Sequence, residues 1–311
     1  MRATKNHTNL GEQVLMTLMY FDIFSYPLKA AEVFNFLRIN SASVREVTEC
    51  LHVLAQKQAV FRFGDLYSLH PENKDIIRRL KGNAEAAKCL KVAEKQARFI
   101  ARFPYVESVM VSGSLSKGYM DETSDLDFFI ITSANRLWIA RTLLVLYKRI
   151  FLFNSHKRFC VNYFIDCEHL EIEEKNLFTA TELVTLIPLY NSGSHRALMK
   201  ANAWVLDFFP NYNLGQPPKN EIIHRGVIKG FLELIFSPLS HWLDRLFMQM
   251  TMKRWNKMYG EKYVKEDFDI AFKTQRHVSK NHPRYYQKKI LERYQVKLYE
   301  FRNRLDYTDV A

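Results

Sequence analysis

Two short apolar runs, Val109-Met110-Val111 and Asp125-Leu126-Asp127-Phe128-Phe129-Ile130-Ile131, bracket a polar loop that opens with Ser112-Gly113-Ser114-Leu115-Ser116-Lys117-Gly118. Each run suits a strand and is too short for a buried helix, so part of the core must be built on a sheet. Strand alternation predicts Asp125 and Asp127 on one face, with Leu126 and Phe128 on the other. Two carboxylates that close repel unless a cation lies between them, and oxygen ligands of this kind suit magnesium. Gly113 lets a backbone approach a phosphate, Ser114 adds a hydroxyl and an N–H, and Lys117 adds a point charge.

Before this segment the pattern is helical. Val14, Leu15, Leu18, Met19 and Ile23 share one helical face within Leu10–Phe24, and a turn follows at Ser25-Tyr26-Pro27. Ala30–Leu37 predicts a second helix. Ser43, with Glu46 three residues on, forms a capping box for a third that runs to Gln58. Val60–Phe63 and Leu66–Leu69 flank Gly64-Asp65 as a small hairpin. Three helices and a hairpin resemble a winged helix-turn-helix over residues 1–73. Its third helix offers Arg45 and Lys57 against Glu46 and Glu49, a weak face for DNA. Lys74–Arg102 predicts a long helix, read as a connector over residues 74–104, which stops before Pro104.

The order Gly113-Ser114, a spacer of about ten residues containing Lys117-Gly118, then Asp125-Leu126-Asp127-Phe128 resembles the signature of the DNA polymerase beta-like nucleotidyltransferase superfamily. The resemblance covers residues 105–170. It implies an α+β fold with a small mixed sheet, flanked by the winged-helix-like module and by a helical C-terminal region over residues 171–311. It also implies transfer of a nucleoside monophosphate, AMP first among the candidates, from a triphosphate (ATP foremost) to an acceptor hydroxyl. Asp125 and Asp127 would then hold Mg2+, with Gly113, Ser114 and Lys117 at the phosphates.

The superfamily usually adds a third carboxylate from a later strand. After a helix over Leu137–Phe153, the strand Phe159–Ile165 carries Asn162 at the central position, and an amide ligates a metal but takes no proton. Asp166, four residues on at the strand's end, is the candidate third catalytic carboxylate, as a metal ligand or base. The alternative is a protein that keeps the fold for binding or regulation and has lost the chemistry. The acceptor (protein, RNA or small molecule) has no motif.

Elsewhere the sequence points to structure more than to chemistry. Glu168, Glu171, Glu173 and Glu174 read as an acidic patch at a helix start, and Asn202 and Trp204 as core packing. Lys273, Lys280 and His282 read as solvated surface rather than as a phosphate lid, and His277 lacks partners at metal-ligand spacing. A net charge of +12 attracts polyanions without choosing among them. The basic, aromatic-rich stretches Lys253-Arg254-Trp255 and Arg284-Tyr285-Tyr286-Gln287-Lys288-Lys289 keep nucleic acid open as a partner. The four cysteines lack paired C-x-x-C spacing, which predicts a reduced, cytoplasmic protein. The apolar stretch Gly230–Met250 carries too many charges for a membrane span.

Overall fold

The computed structural model describes residues 2–40, 43–153, 159–214, 227–282 and 285–308. Helix α1 (Arg2–Asp22) ends ahead of Pro27, where the chain turns through Ser25 with φ of 50°. Strand β1 (Leu28–Lys29) leads into α2 (Ala30–Asn35). Helix α3 (Val44–Gln56) is capped by the Ser43 hydroxyl, which accepts from the Glu46 N–H at 3.3 Å. Strands β2 (Phe61–Phe63) and β3 (Leu66–Ser68) pair across Gly64 at φ +65°, a conformation that costs other residues about 1–2 kcal/mol. β1 adds to β3, so this small antiparallel sheet has the order β1-β3-β2.

Helix α4 (Lys74–Ile100) is followed by β4 (Val106–Ser112), the single turn α5 (Gly113–Ser116), β5 (Asp127–Thr132), α6 (Leu137–Phe151) and β6 (Cys160–Asp166). Then come α7 (Leu177–Val184), β7 (Ile187–Tyr190), α8 (Ser192–Ala201), α9 (Val205–Phe208), α10 (Val227–Phe236) and α11 (Ser240–Tyr259). The chain closes with α12 (Lys265–Ala271), β8 (Thr274–Gln275), β9 (Val278–Lys280) and α13 (Tyr286–Thr308). The second sheet has six strands in the order β7-β4-β5-β6-β9-β8, parallel between β5 and β6 and antiparallel elsewhere. Parallel neighbours need a crossover, and α6 supplies it.

Both faces of this sheet are covered. Val109, Val111, Phe128, Ile130 and Phe164 pack with Ala93, Ala97 and Ile100 of α4 and with Leu137, Trp138 and Leu144 of α6. Met110, Phe129, Ile131 and Ile165 point the other way, into a cluster shared with α7, α8, α9 and α13 and with Val14, Leu18 and Phe21 of α1. Helix α11 docks on the start of α6 through Asp244, whose carboxylate accepts the N–H groups of Trp138 at 2.8 Å and Ile139 at 3.1 Å.

Three sequence boundaries shift accordingly. The second half of α4 is a core helix rather than a connector, because its small alanines let it lie close on the sheet. The sheet extends beyond residue 170, since β7, β8 and β9 come from the stretch expected to be helical and complete its two edges. The N-terminal module shares a core with the larger sheet instead of standing apart. No helix among the described residues is long and apolar enough to cross a membrane.

Candidate active site

The site forms where β4 delivers the chain into α5. Register pairs Ser112 with Asp127, so the next residue, Gly113, lies directly against the start of β5. Gly113 has φ of +65°, and a Cβ there would fall 2.5 Å from Asp127 Oδ2. Glycine is therefore required twice, by backbone conformation and by the carboxylate packed on its Cα. Asp125 lies in the loop just before β5, not in the strand itself as alternation suggested. Burial pushes the Asp127 carboxyl up to about 7, and the charge of Asp125 adds to the rise; Glu182 contributes in the same direction, while Cys160 and Lys117 oppose it.

Strand β6 brings Asn162 to this pair by a bulge. Phe128 is opposite Val161 and Phe129 is opposite Tyr163, so Asn162 is the extra residue. Bulges re-aim side chains, and here Asn162 Nδ2 donates to Asp127 Oδ1 at 2.6 Å. The Cys160 thiol donates to Asn162 Oδ1 at 2.9 Å, and burial together with Asp127 pushes that thiol up to about 12, which keeps it protonated. Asn162 is thus oriented from both sides. The Asn281 N–H also holds its backbone carbonyl at 2.9 Å. Lys148, buried on α6, has its pKa lowered by burial, with the carboxylates of Asp125 and Asp127 acting against that shift.

Asp166 does not join them. Register places it opposite Thr132, at the far end of β5 from Asp127. Four residues of strand separate Asp166 from Asn162, about 13 Å at the usual rise. Its fully buried carboxylate is occupied there, accepting from the N–H groups of Glu168 at 3.1 Å and His169 at 3.0 Å and contacting His169 Nδ1 at 2.8 Å. It closes the turn after β6, which removes it from the candidate catalytic set.

The loop between the glycine and the aspartates is tied down along its length. Tyr26 OH donates to the Lys117 carbonyl at 2.8 Å, Asn83 Nδ2 donates to the Gly118 carbonyl, and the Met120 N–H donates to the Gly82 carbonyl at 3.1 Å. Gly82 leaves room for the Tyr119 ring, which a Cβ there would overlap. Asp121 accepts from Thr123, Ser124 and Tyr119; burial opposes its ionisation, yet these hydrogen bonds hold its pKa well below the usual carboxylate range. Lys117 folds back over the turn, donating to the Gly113 carbonyl at 3.1 Å and pairing with Glu182 of α7 at 2.8 Å.

Glu182 and Lys148 were not singled out from the sequence. The available signal is weak: Glu182 is the one charged residue in Leu177-Phe178-Thr179-Ala180-Thr181-Glu182-Leu183-Val184, and Lys148 is one of two basic residues, with Arg149, in the last turn of a mostly apolar helix.

The remaining sequence candidates fall into structural roles. Glu173 and Glu174 clamp Lys273 at 2.6 and 3.0 Å, ahead of α7 rather than in it, and Asn176 is the α7 cap. Lys280, expected at the solvated surface, is buried and donates to Gln287 at 3.0 Å because β9 inserts beside β6. Asn202 is a buried hub that accepts from the Ile172 N–H at 2.8 Å and donates to the Leu170 carbonyl at 2.7 Å. His277 stacks on His169 with ring centroids 4.4 Å apart. Trp255 is buried beneath Arg141, Arg45 pairs with Glu49 at 2.8 Å, and Arg284 lies outside the described residues.

A three-residue group with ligand atoms within 4.8 Å of one another occurs elsewhere, at Asp22, His70 and Asp75. There Asp22 is already paired with the Lys297 ammonium at 2.7 Å and His70 at 2.9 Å. Around Asp125 and Asp127 no such trio forms among the described residues.

Searches of curated proteins and of solved structures gave no significant match to the chain. A family model described as a nucleotidyltransferase domain does match, over residues 93–179. That match runs from the second half of α4 through β6 to the first turn of α7 and so contains the strands on which the site is built; residues 93–179 are thus a nucleotidyltransferase domain of the DNA polymerase beta-like family.

Proposed function

We propose that the domain transfers a nucleoside monophosphate, AMP foremost, from a nucleoside triphosphate to an acceptor hydroxyl and releases pyrophosphate. Asp125 and Asp127 would hold Mg2+, Gly113 and Ser114 would face the phosphates, and Lys117 would add positive charge there. The observation that carries this reading is the Asp127 carboxylate, wedged against the Gly113 backbone and raised by burial and by Asp125. A divalent cation relieves such crowding, so the donor set fits a hard oxygen-seeking ion. When bound, that ion neutralises triphosphate charge and aligns the displacement. Incubation with α-labelled ATP, Mg2+ and a cell extract tests the reading. Wild-type protein should label an acceptor, and the Asp125→Asn, Asp127→Asn double variant should not.

Asn162 in contact with Asp127 favours a second reading, in which the domain binds nucleotide for regulation without turnover. Magnesium-dependent nucleotide binding with no labelled acceptor would select it. For residues 1–73 the winged-helix-like reading is supported by the order of three helices and an antiparallel sheet. A DNA role would require salt-dependent duplex binding that weakens when Arg45 and Lys57 are neutralised.

A further inference from the structure

Nucleotidyl transfer requires the attacking hydroxyl to lose its proton, and a base must lie within hydrogen-bond reach of it. This inference rests on the transfer reading above. The residue touching Asp127 from β6 is an amide, the neighbouring Cys160 is a protonated thiol, and Asp166 is held at the other end of the strand.

Helix α7 offers another carboxylate. Asn176 caps it by accepting from the Thr179 N–H at 3.0 Å, and Leu177, Ala180, Thr181, Leu183 and Val184 bury its remaining faces. The Thr185 hydroxyl, just past its end, meets Ser116 of α5 at 3.4 Å. So fixed, α7 presents Glu182 to the turn after Gly113, with its carboxylate 2.8 Å from Lys117 Nζ. The side chain is 29% exposed, enough for a hydroxyl to approach, whereas that of Asp166 is fully enclosed.

We propose that Glu182 is the catalytic base. The acceptor oxygen bonds to the α-phosphorus of the triphosphate, and the bond from that phosphorus to the α–β bridging oxygen breaks. Its electron pair leaves with pyrophosphate. The hydroxyl proton passes to the Glu182 carboxylate and from there to water. Lys117 neutralises Glu182 in the nucleotide-free protein; the arriving triphosphate draws its ammonium to the phosphates and releases the carboxylate for proton transfer. Nucleotide binding and the freeing of the base are thereby one event.

The test compares full-length wild type, Glu182→Gln and Glu182→Asp for labelling from α-labelled ATP with Mg2+ and cell extract. Calorimetry with α,β-methylene ATP and Mg2+ runs in parallel. Glu182→Gln should label at least a hundredfold more slowly, the ordinary contribution of a positioned base. It should bind the analogue within about threefold of wild type, and Glu182→Asp should recover at least tenfold of the lost rate. A Glu182→Gln protein that labels at the wild-type rate overturns the assignment alone. So does one that loses analogue binding in step with rate, because that marks a structural role. A wild type that binds the analogue but labels nothing overturns the transfer reading and the assignment with it.

Discussion

Replacing Asp127 by Asn should stabilise the metal-free protein, the reverse of the usual result for a buried hydrogen-bonded residue. The carboxyl rises from 3.8 to about 7 in the folded chain, so ionising it there opposes folding. At 1.36 kcal/mol per pKa unit the full penalty above pH 7 is about 4 kcal/mol, and screening at its partly exposed edge lowers this to about 2–4 kcal/mol. Between pH 4 and 7 the folded state binds more protons at this site than the unfolded state. Stability therefore falls as pH rises through that window, and the penalty is largely absent below it. Asn162 Nδ2 still finds an oxygen to donate to in the amide variant, so the contact itself survives.

The assay is urea unfolding in EDTA at pH 5 and pH 8.5, wild type against Asp127→Asn. The stability advantage of the variant should be about 2 kcal/mol larger at the higher pH. Taking the difference between the two proteins cancels other titrations, such as that of His195, whose pKa burial lowers to about 4. Adding Mg2+ should raise the stability of wild type by mass action and leave the variant unmoved. A gap that is the same at both pH values, or that shrinks at pH 8.5, would refute the reasoning.

Gly113→Ala should destabilise by about 1–3 kcal/mol from its positive φ and from the clash with Asp127, and should abolish Mn2+ binding followed by electron paramagnetic resonance. Asp244→Ala leaves the Trp138 and Ile139 N–H groups without their acceptor, so chemical denaturation should show a loss of about 2–3 kcal/mol. Burial holds the Asp244 carboxyl up at about 6, so Asp244→Asn should recover part of that loss, more of it at pH 8 than at pH 5. Asn162→Asp adds a third carboxylate beside Asp127; it should destabilise the EDTA-treated protein at pH 8 yet tighten Mn2+ binding about tenfold, and unchanged metal affinity would count against Asn162 as a ligand position.

Sequence legibility followed the range of the interactions involved. The turn at Gly113 and the strand carrying Asp127 are local features, announced by a glycine, short apolar runs and spacing. The edge strands are not: β8 has two residues and β9 three, too few for alternation to show, and they are strands only because β6 offers them a partner. β7 looks like the tail of a helix until β4 pairs with it. Asp166 shows how alternation misleads, since it fixes the face a residue occupies and says nothing of distance along the strand. Asn162 reaches Asp127 through a bulge that no alternation pattern encodes.

The two halves of the molecule meet at helix α7. One end of its environment is the shared apolar cluster, where Leu177, Ala180, Leu183 and Val184 pack with residues of α1 and α13. The other is the polar contact of Glu182 with Lys117 over the Gly113 turn. Tyr20 of α1 is buried beside this junction, its hydroxyl pKa raised by burial and also by Glu182. The N-terminal module therefore bears on the site twice, through Tyr26 holding the Lys117 carbonyl and through α1 supporting the helix that carries Glu182. Displacing α1 would loosen both the Gly113 turn and the carboxylate above it. A module packed in this way is part of the framework that holds Lys117 and Glu182 over the Gly113 turn.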